Sequence, residues 1–310
     1  MPALGAMVGW SPDGIAKWVK DKMVRTHTPF FEAISHKALP AQHALALLRL
    51  CMLPRMNFWT RVLPPDVVAP AAKAFDDLVL ETALRKLGLG TSLSNVAQKT
   101  IRLPVRLGGL GLRSMEAVSP VAWWSALAQV CPRVRELHEG DEKSLVLSKQ
   151  GKTQAKCWNY FKLHHAPCDG KLIPKTPNEF WHQYRKGGYA GLQRSILKLT
   201  EEAWAAALVT DSKSPQIKAR LVGCRAPSAG AWLTTPLTDP LLRLNSTHFS
   251  FAVRLRLGLP PQDDLPAECA CGEVLESAPD HFLVCHLLKS TSMTTRHDRV
   301  LYLLARLTRT

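Results

Sequence analysis

The chain has 310 residues, 46% hydrophobic and 21% charged, with a mean hydropathy of −0.06; this excludes wholesale disorder and fits one large or two to three small domains. Forty Lys and Arg against twenty-five Asp and Glu leave a formal charge of +15, which favours a polyanionic partner: nucleic acid, an acidic membrane face or an acidic protein. No apolar run of about eighteen residues and no basic leader with an apolar core occurs, so neither a membrane span nor a secretory signal is expected. Eight cysteines are too dilute for a disulfide scaffold and point to a reducing intracellular compartment, nucleus or cytoplasm.

In chain order, residues 11–87 read as helical. Ile15, Trp18, Val19 and Met23 mark the apolar side of a first amphipathic stretch. Pro40 opens a second helix, AQHALALLRLCML, too apolar for one wet face and therefore expected at the centre, ending at Pro54. A third is expected from about Pro70 to Leu87, with Gly88 as its stop. Between Gly88 and Pro120 the text turns to short apolar pieces cut by Pro104, Gly108, Gly109 and Gly111. Leu103, Leu107, Leu110 and Leu112 are too apolar for a free linker, so this connector should pack against something. A helix follows over 120–138.

Residues 141–200 carry eleven Lys or Arg against four Asp or Glu, with weak periodicity, and read as the most basic and least ordered part. Helices are expected again over 192–209, 249–257 and 293–307. The whole is a mostly α fold in five parts: a helical bundle at 1–90, a Gly/Leu-rich connector and helix at 91–140, the basic segment at 141–200, a helical linker region at 201–260, and a small cysteine module with a terminal helix at 261–310.

The sharpest chemistry lies in that module. Cys269 and Cys271 flank one residue, nine residues separate Cys271 from His281, and three separate His281 from Cys285. Thiolate and imidazole donors at this density suit a closed tetrahedral Zn²⁺ site of structural type, with Gly272 permitting the turn after the cysteine pair. If HFLVC is helical, His281 and Cys285 share a face. No H-E-x-x-H or H-x-E arrangement accompanies the site, so a catalytic metal is not expected. His286 and His297 are possible substitute ligands.

Candidate phosphate contacts are Arg102, Arg106, Arg113, Arg254, Arg256, Arg296 and Arg299, spaced among apolar residues, with the nine tryptophans as stacking surfaces where one is exposed. Two acidic pairs invite an enzyme reading and do not support it. Asp76-Asp77 falls in a helical pattern where neighbours diverge by about 100°, and Asp263-Asp264 lies in a proline-bounded loop without flanking strands. Gly108-Gly109-Leu110-Gly111 has neither the spacing nor the βαβ context of a dinucleotide fingerprint.

Several segments, taken in order, resemble the region downstream of the polymerase core in non-LTR retrotransposon reverse transcriptases: LGAMVG (4–9), ALALLRLCMLPRMNFWTR (44–61), RLPVRLGGLGLRS (102–114), AWLTTP (231–236), residues 249–260, and CACG with HFLVC and Arg296-His297-Asp298. The resemblance covers most of the chain outside 141–200. It implies a thumb-like bundle up to about residue 90, a linker, and a CCHC knuckle formed by Cys269, Cys271, His281 and Cys285. It also implies that the palm carboxylates and the endonuclease, with their Mg²⁺, lie outside this sequence. The expected activity is therefore binding of RNA, DNA or their hybrid with little base readout and no catalysis. The alternatives are an active polymerase or nuclease with an unrecognised site, and a zinc-stabilised protein-interaction module.

Overall fold

The computed structural model describes residues 2–3, 6–7, 12–90, 93–137, 179, 183, 191–235, 237–238, 240–260, 266–275, 281 and 285–287. They are mostly helical; β1 (Pro2–Ala3) and β2 (Ala6–Met7) pair as a two-residue antiparallel ribbon. The helices are α1 (Pro12–Met23), α2 (Thr28–Ser35), α3 (Ala41–Leu47), α4 (Asn57–Val62), α5 (Pro65–Leu87), α6 (Asn95–Arg102), α7 (Met115–Leu137), α8 (Leu192–Asp211), α9 (Pro215–Gly223), α10 (Ala231–Thr234) and α11 (Ser246–Leu257). None of them is long and apolar enough to cross a membrane. Of the basic segment only 179, 183 and 191–200 are described, the last of these opening α8, and the expected helix over 293–307 lies outside the described residues.

The central helix is α5, against which α1, α2, α3, α7 and α11 all pack; the apolar second helix expected at the centre is instead one of this ring. Val68, Ala71, Ala72, Phe75, Val79, Ala83 and Leu87 give α5 its buried side, and Phe31 meets Phe75 edge-on at 5.4 Å. It begins at Pro65, five residues before the expected start, because Pro64-Pro65 presets the first turn and Pro70 points its ring to solvent. Gly88 ends it in the left-handed conformation, as expected.

Pro54 does not end the second helical run. A π-helical turn (Leu48–Met52) and a 3₁₀ turn (Leu53–Met56) carry the chain from α3 into α4. Proline lacks an N–H and crowds the carbonyl four residues back; widening the preceding turn removes that clash without breaking the run.

One hydrophobic core extends from Val19 on α1 to Leu257 on α11, so the expected boundary at residue 90 crosses a continuous core. A smaller cluster of Leu103, Leu107, Ala205, Leu208 and Leu221 sits beside it. The Gly/Leu connector joins the two: Leu110 and Leu112 enter the main core, Leu103 and Leu107 the satellite. It is packed, as its leucines required. Its chain folds back on α6, with Gly111 N–H donating to Leu103 O at 2.8 Å. A Cβ on Gly109 would fall 1.9 Å from the same carbonyl, so only glycine fits there.

Helix α7 starts at Met115, ahead of the expected 120, because Ser114 Oγ accepts from Ala117 N–H as a local cap (3.2 Å) and a residue from another helix caps the first turn as well. The buried Asp76 of α5 accepts from Met115 N–H (2.8 Å), Glu116 N–H (3.2 Å) and Ser114 Oγ (2.6 Å), with Arg102 at 3.6 Å. Replacing Asp76 by Ala leaves buried donors unpaired and should cost about 3 kcal/mol in urea unfolding. Burial pushes the Asp76 carboxyl above its ordinary range, although Ser114, the two N–H groups and Arg102 pull it down. The folded chain then holds this proton to higher pH than the unfolded chain does. The associated stability is full below the unfolded value and is lost as pH rises through the folded one. The non-titrating Asp76→Asn variant should lose less stability than the parent between mildly acidic and neutral pH; equal losses would contradict the assignment.

Candidate metal centre and arginine placement

Around the cysteine pair the chain makes a tight knuckle. Glu268 bridges Val274 in antiparallel fashion, Cys269 N–H donates to Glu273 O at 2.8 Å, and Gly272 N–H donates to Cys269 O at 2.8 Å. Gly272 takes a φ of +88°, which lets the chain reverse directly after Cys271. On the other side Cys285 N–H donates to His281 O at 2.7 Å, a bond across four residues that draws the two ligand positions together. The four expected ligands come together: Sγ of Cys269, Cys271 and Cys285 and a ring nitrogen of His281 lie within 4.8 Å of one another.

The cluster could hold a metal ion. Sulfurs bound at about 2.3 Å to a tetrahedral ion stand about 3.8 Å apart; Cys269 and Cys285 are separated by 3.7 Å, far beyond disulfide length. Cys271 Sγ and His281 Nε2 are 3.0 Å apart, a thiol–imidazole hydrogen bond shorter than the roughly 3.5 Å that coordination sets, so this edge widens when a metal binds. The Glu273 N–H favours the Cys271 thiolate, yet desolvation and the crowding by Cys269 and Cys285 push its pKa up on balance. A divalent cation among the sulfurs reverses that balance. The donor set is compatible with structural zinc. His286 is described and exposed but is not in the cluster; His297 lies outside the described residues.

The candidate phosphate contacts divide. Arg254 and Arg256 are buried and correct the expectation that they face a ligand. Arg254 donates to the carbonyls of Gly88 and Pro260. Arg256 donates to four more: Val105 (2.8 Å), Ala229 (3.1 Å), Gly109 (3.3 Å) and Cys224 (3.3 Å). Two residues apart on α11 they point about 200° away from each other, so each is buried against a different segment, and main-chain carbonyls supply what a phosphate would have. Arg102, Arg106 and Arg113 keep partial exposure but pair with carboxylates: Arg102 with Asp76, Arg106 with Glu201 and Glu202, and Arg113 with Glu201 at 2.7 Å. Arg296 and Arg299 lie outside the described residues, as do Asp263 and Asp264. Of the described tryptophans whose burial is defined, none is fully exposed; Trp18 and Trp59 meet edge-on at 5.3 Å.

No family model, curated protein or solved structure matches the chain. Its functional reading therefore stands on its own residues. One was missed by sequence pattern: Arg49, a lone cation in the apolar run LALLRLCML, lies against Arg113 in a cleft between α3–α4 and the Gly/Leu connector. A cation in so apolar a stretch was the available signal, since burial obliges it to find partners.

Proposed function

We propose that this chain is the thumb-to-knuckle part of a non-LTR retrotransposon reverse transcriptase and binds RNA, DNA or their hybrid through phosphate and stacking contacts, without catalysis of its own. The observation that carries this reading is the convergence of Cys269, Cys271, His281 and Cys285 at the place in the chain where the resemblance puts a CCHC knuckle. The net charge of +15 and the order of the resembling segments support it.

In this reading Zn²⁺ is the structural ion, and it supplies fixed tetrahedral coordination to a module with little core. The chain's own residues do the rest: the hairpin around Gly272 sets the first two ligands, the turn from His281 to Cys285 sets the other two, and the basic surface meets phosphates. Mg²⁺ belongs to catalytic domains outside this sequence. Asp76 offers no substitute for palm carboxylates, being buried and engaged at the N-terminus of α7.

Anisotropy titrations of fluorescent RNA, DNA and hybrid at several salt concentrations test the proposal. A site neutralising three or four phosphates should give a plot of log K against log salt with a slope of about −3, similar across sequences. Affinity that ignores salt, or no affinity, would move the reading to a protein-interaction module.

A further inference from the structure

Two cavities flank Arg113, and they differ in charge. The larger, about 390 Å³ between α6, α7 and α8, holds Lys99 and Arg102 but also Glu201 and Asp211, so its cations are answered within it. The smaller, about 290 Å³, is lined by Arg49, Asn57, Arg113, Pro104, Val105 and Gly111 among others, and no carboxylate among the described residues lines it.

Both guanidiniums line this second cleft and keep donors that their other partners do not use. Arg49 donates Nη1 to Leu233 O at 2.9 Å; Arg113 holds Glu201 through Nε at 2.7 Å and Nη2 at 3.2 Å. Nε and Nη2 of Arg49 and Nη1 of Arg113 have no hydrogen-bond partner among the described residues. The close approach is built in, since Gly111 has a φ of +77° and a Cβ there would lie 2.8 Å from Arg49 Nε. Burial, then the neighbouring charge of Arg113, pushes the Arg49 pKa down, so the pair repels without an anion between its members. Guanidinium N–H groups left over in a cleft with two positive charges suit phosphate oxygens.

We propose that the cleft between Arg49, Asn57 and Arg113 is a phosphate-binding site that takes one backbone phosphate of the bound nucleic acid. The occupant rests on the nucleic-acid reading above; the anion chemistry of the cleft does not. Glu201 offsets part of the Arg113 charge and holds its fork in place, while Arg49 faces no carboxylate in the lining.

Two measurements separate the claims. Inorganic pyrophosphate is titrated into protein labelled with ¹⁵N-arginine, and the Nε–H signals of Arg49 and Arg113 are followed by NMR. Both should shift together and saturate, and Asn57→Asp, which places a carboxylate at the exposed rim of the cleft, should suppress the shift. Unmoved Arg49 and Arg113 signals overturn the inference whether or not the chain binds nucleic acid. In the salt titration, Asn57→Asp should weaken binding about tenfold and flatten the slope by about 0.7 to 0.9, the contribution of one phosphate. The charge-matched control Gln216→Glu on α9 should leave the slope unchanged. A parent that binds no nucleic acid while pyrophosphate shifts both arginines defeats the functional reading and leaves the phosphate site standing. Arg49→Gln, checked for folding by thermal melting, should abolish the pyrophosphate response, and a normal response in that variant overturns the assignment of Arg49.

Discussion

Replacing Cys269 and Cys271 together by serine should remove one zinc ion per chain and unfold the knuckle while leaving the helical bundle folded. The expectation follows from where the buried apolar surface is. The main core ends at Leu257, and within 266–287 Cys285 is the buried residue among those described. A module with so little apolar burial draws its folding free energy from the metal, and structural zinc sites of this type are worth on the order of 10 kcal/mol at neutral pH. Native mass spectrometry should find one zinc in the parent and none in the double variant. Limited proteolysis should then cut the variant beyond Leu257, with the melting transition of the bundle moved by no more than a few degrees. A parent that is folded over 266–287 without metal would defeat the assignment, since four donors within 4.8 Å would then be held by packing alone.

Substituting Met for Arg256 should destabilise the bundle by about 3 to 5 kcal/mol, the largest expected effect of a single substitution in α11. The Arg256 guanidinium is buried and satisfies carbonyls from two separate stretches, Val105 and Gly109 in the Gly/Leu connector and Cys224 and Ala229 in the turn after α9. Burial lowers its pKa, yet an arginine remains protonated under such conditions. Methionine matches the length of the stem and leaves those carbonyls without their donor. Arg256→Lys should recover less than half of the loss, because one ammonium cannot reach acceptors spread around a planar fork. Guanidinium chloride unfolding of parent and both variants measures this. A Met variant within about 1 kcal/mol of the parent would mean that water or a rearranged loop replaces the guanidinium.

What the sequence disclosed depended on how local the determining interactions are. The α8 helix and the Gly88 stop rest on periodicity and on one residue's backbone preference, so both could be placed from neighbours alone. The metal ligands were equally legible, because local hydrogen bonds around Gly272 and from Cys285 to His281 set their convergence within seventeen positions. The start of α7 was legible only in part, since Ser114 Oγ accepts from Ala117 N–H as a local cap while the other cap, Asp76, lies 39 residues before Met115. The fate of Arg254 and Arg256 was not legible: alternation with leucines looks the same whether a guanidinium faces water or a ring of carbonyls. The difference lies in Val105, Gly109 and Cys224, which reach Arg256 only after the chain has folded. Pro54 misled for a related reason, because the widened turn that accommodates it has no signature in residue type.

Arg254, which ties Pro260 and Gly88 to the end of α11, also fixes where the knuckle's leash is anchored. Five residues, 261–265, separate that anchor from the first described residue of the knuckle, Pro266, and whatever path they take they span at most about 20 Å. The knuckle is therefore held near the end of α11 at a local concentration on the order of millimolar toward any site on that part of the bundle.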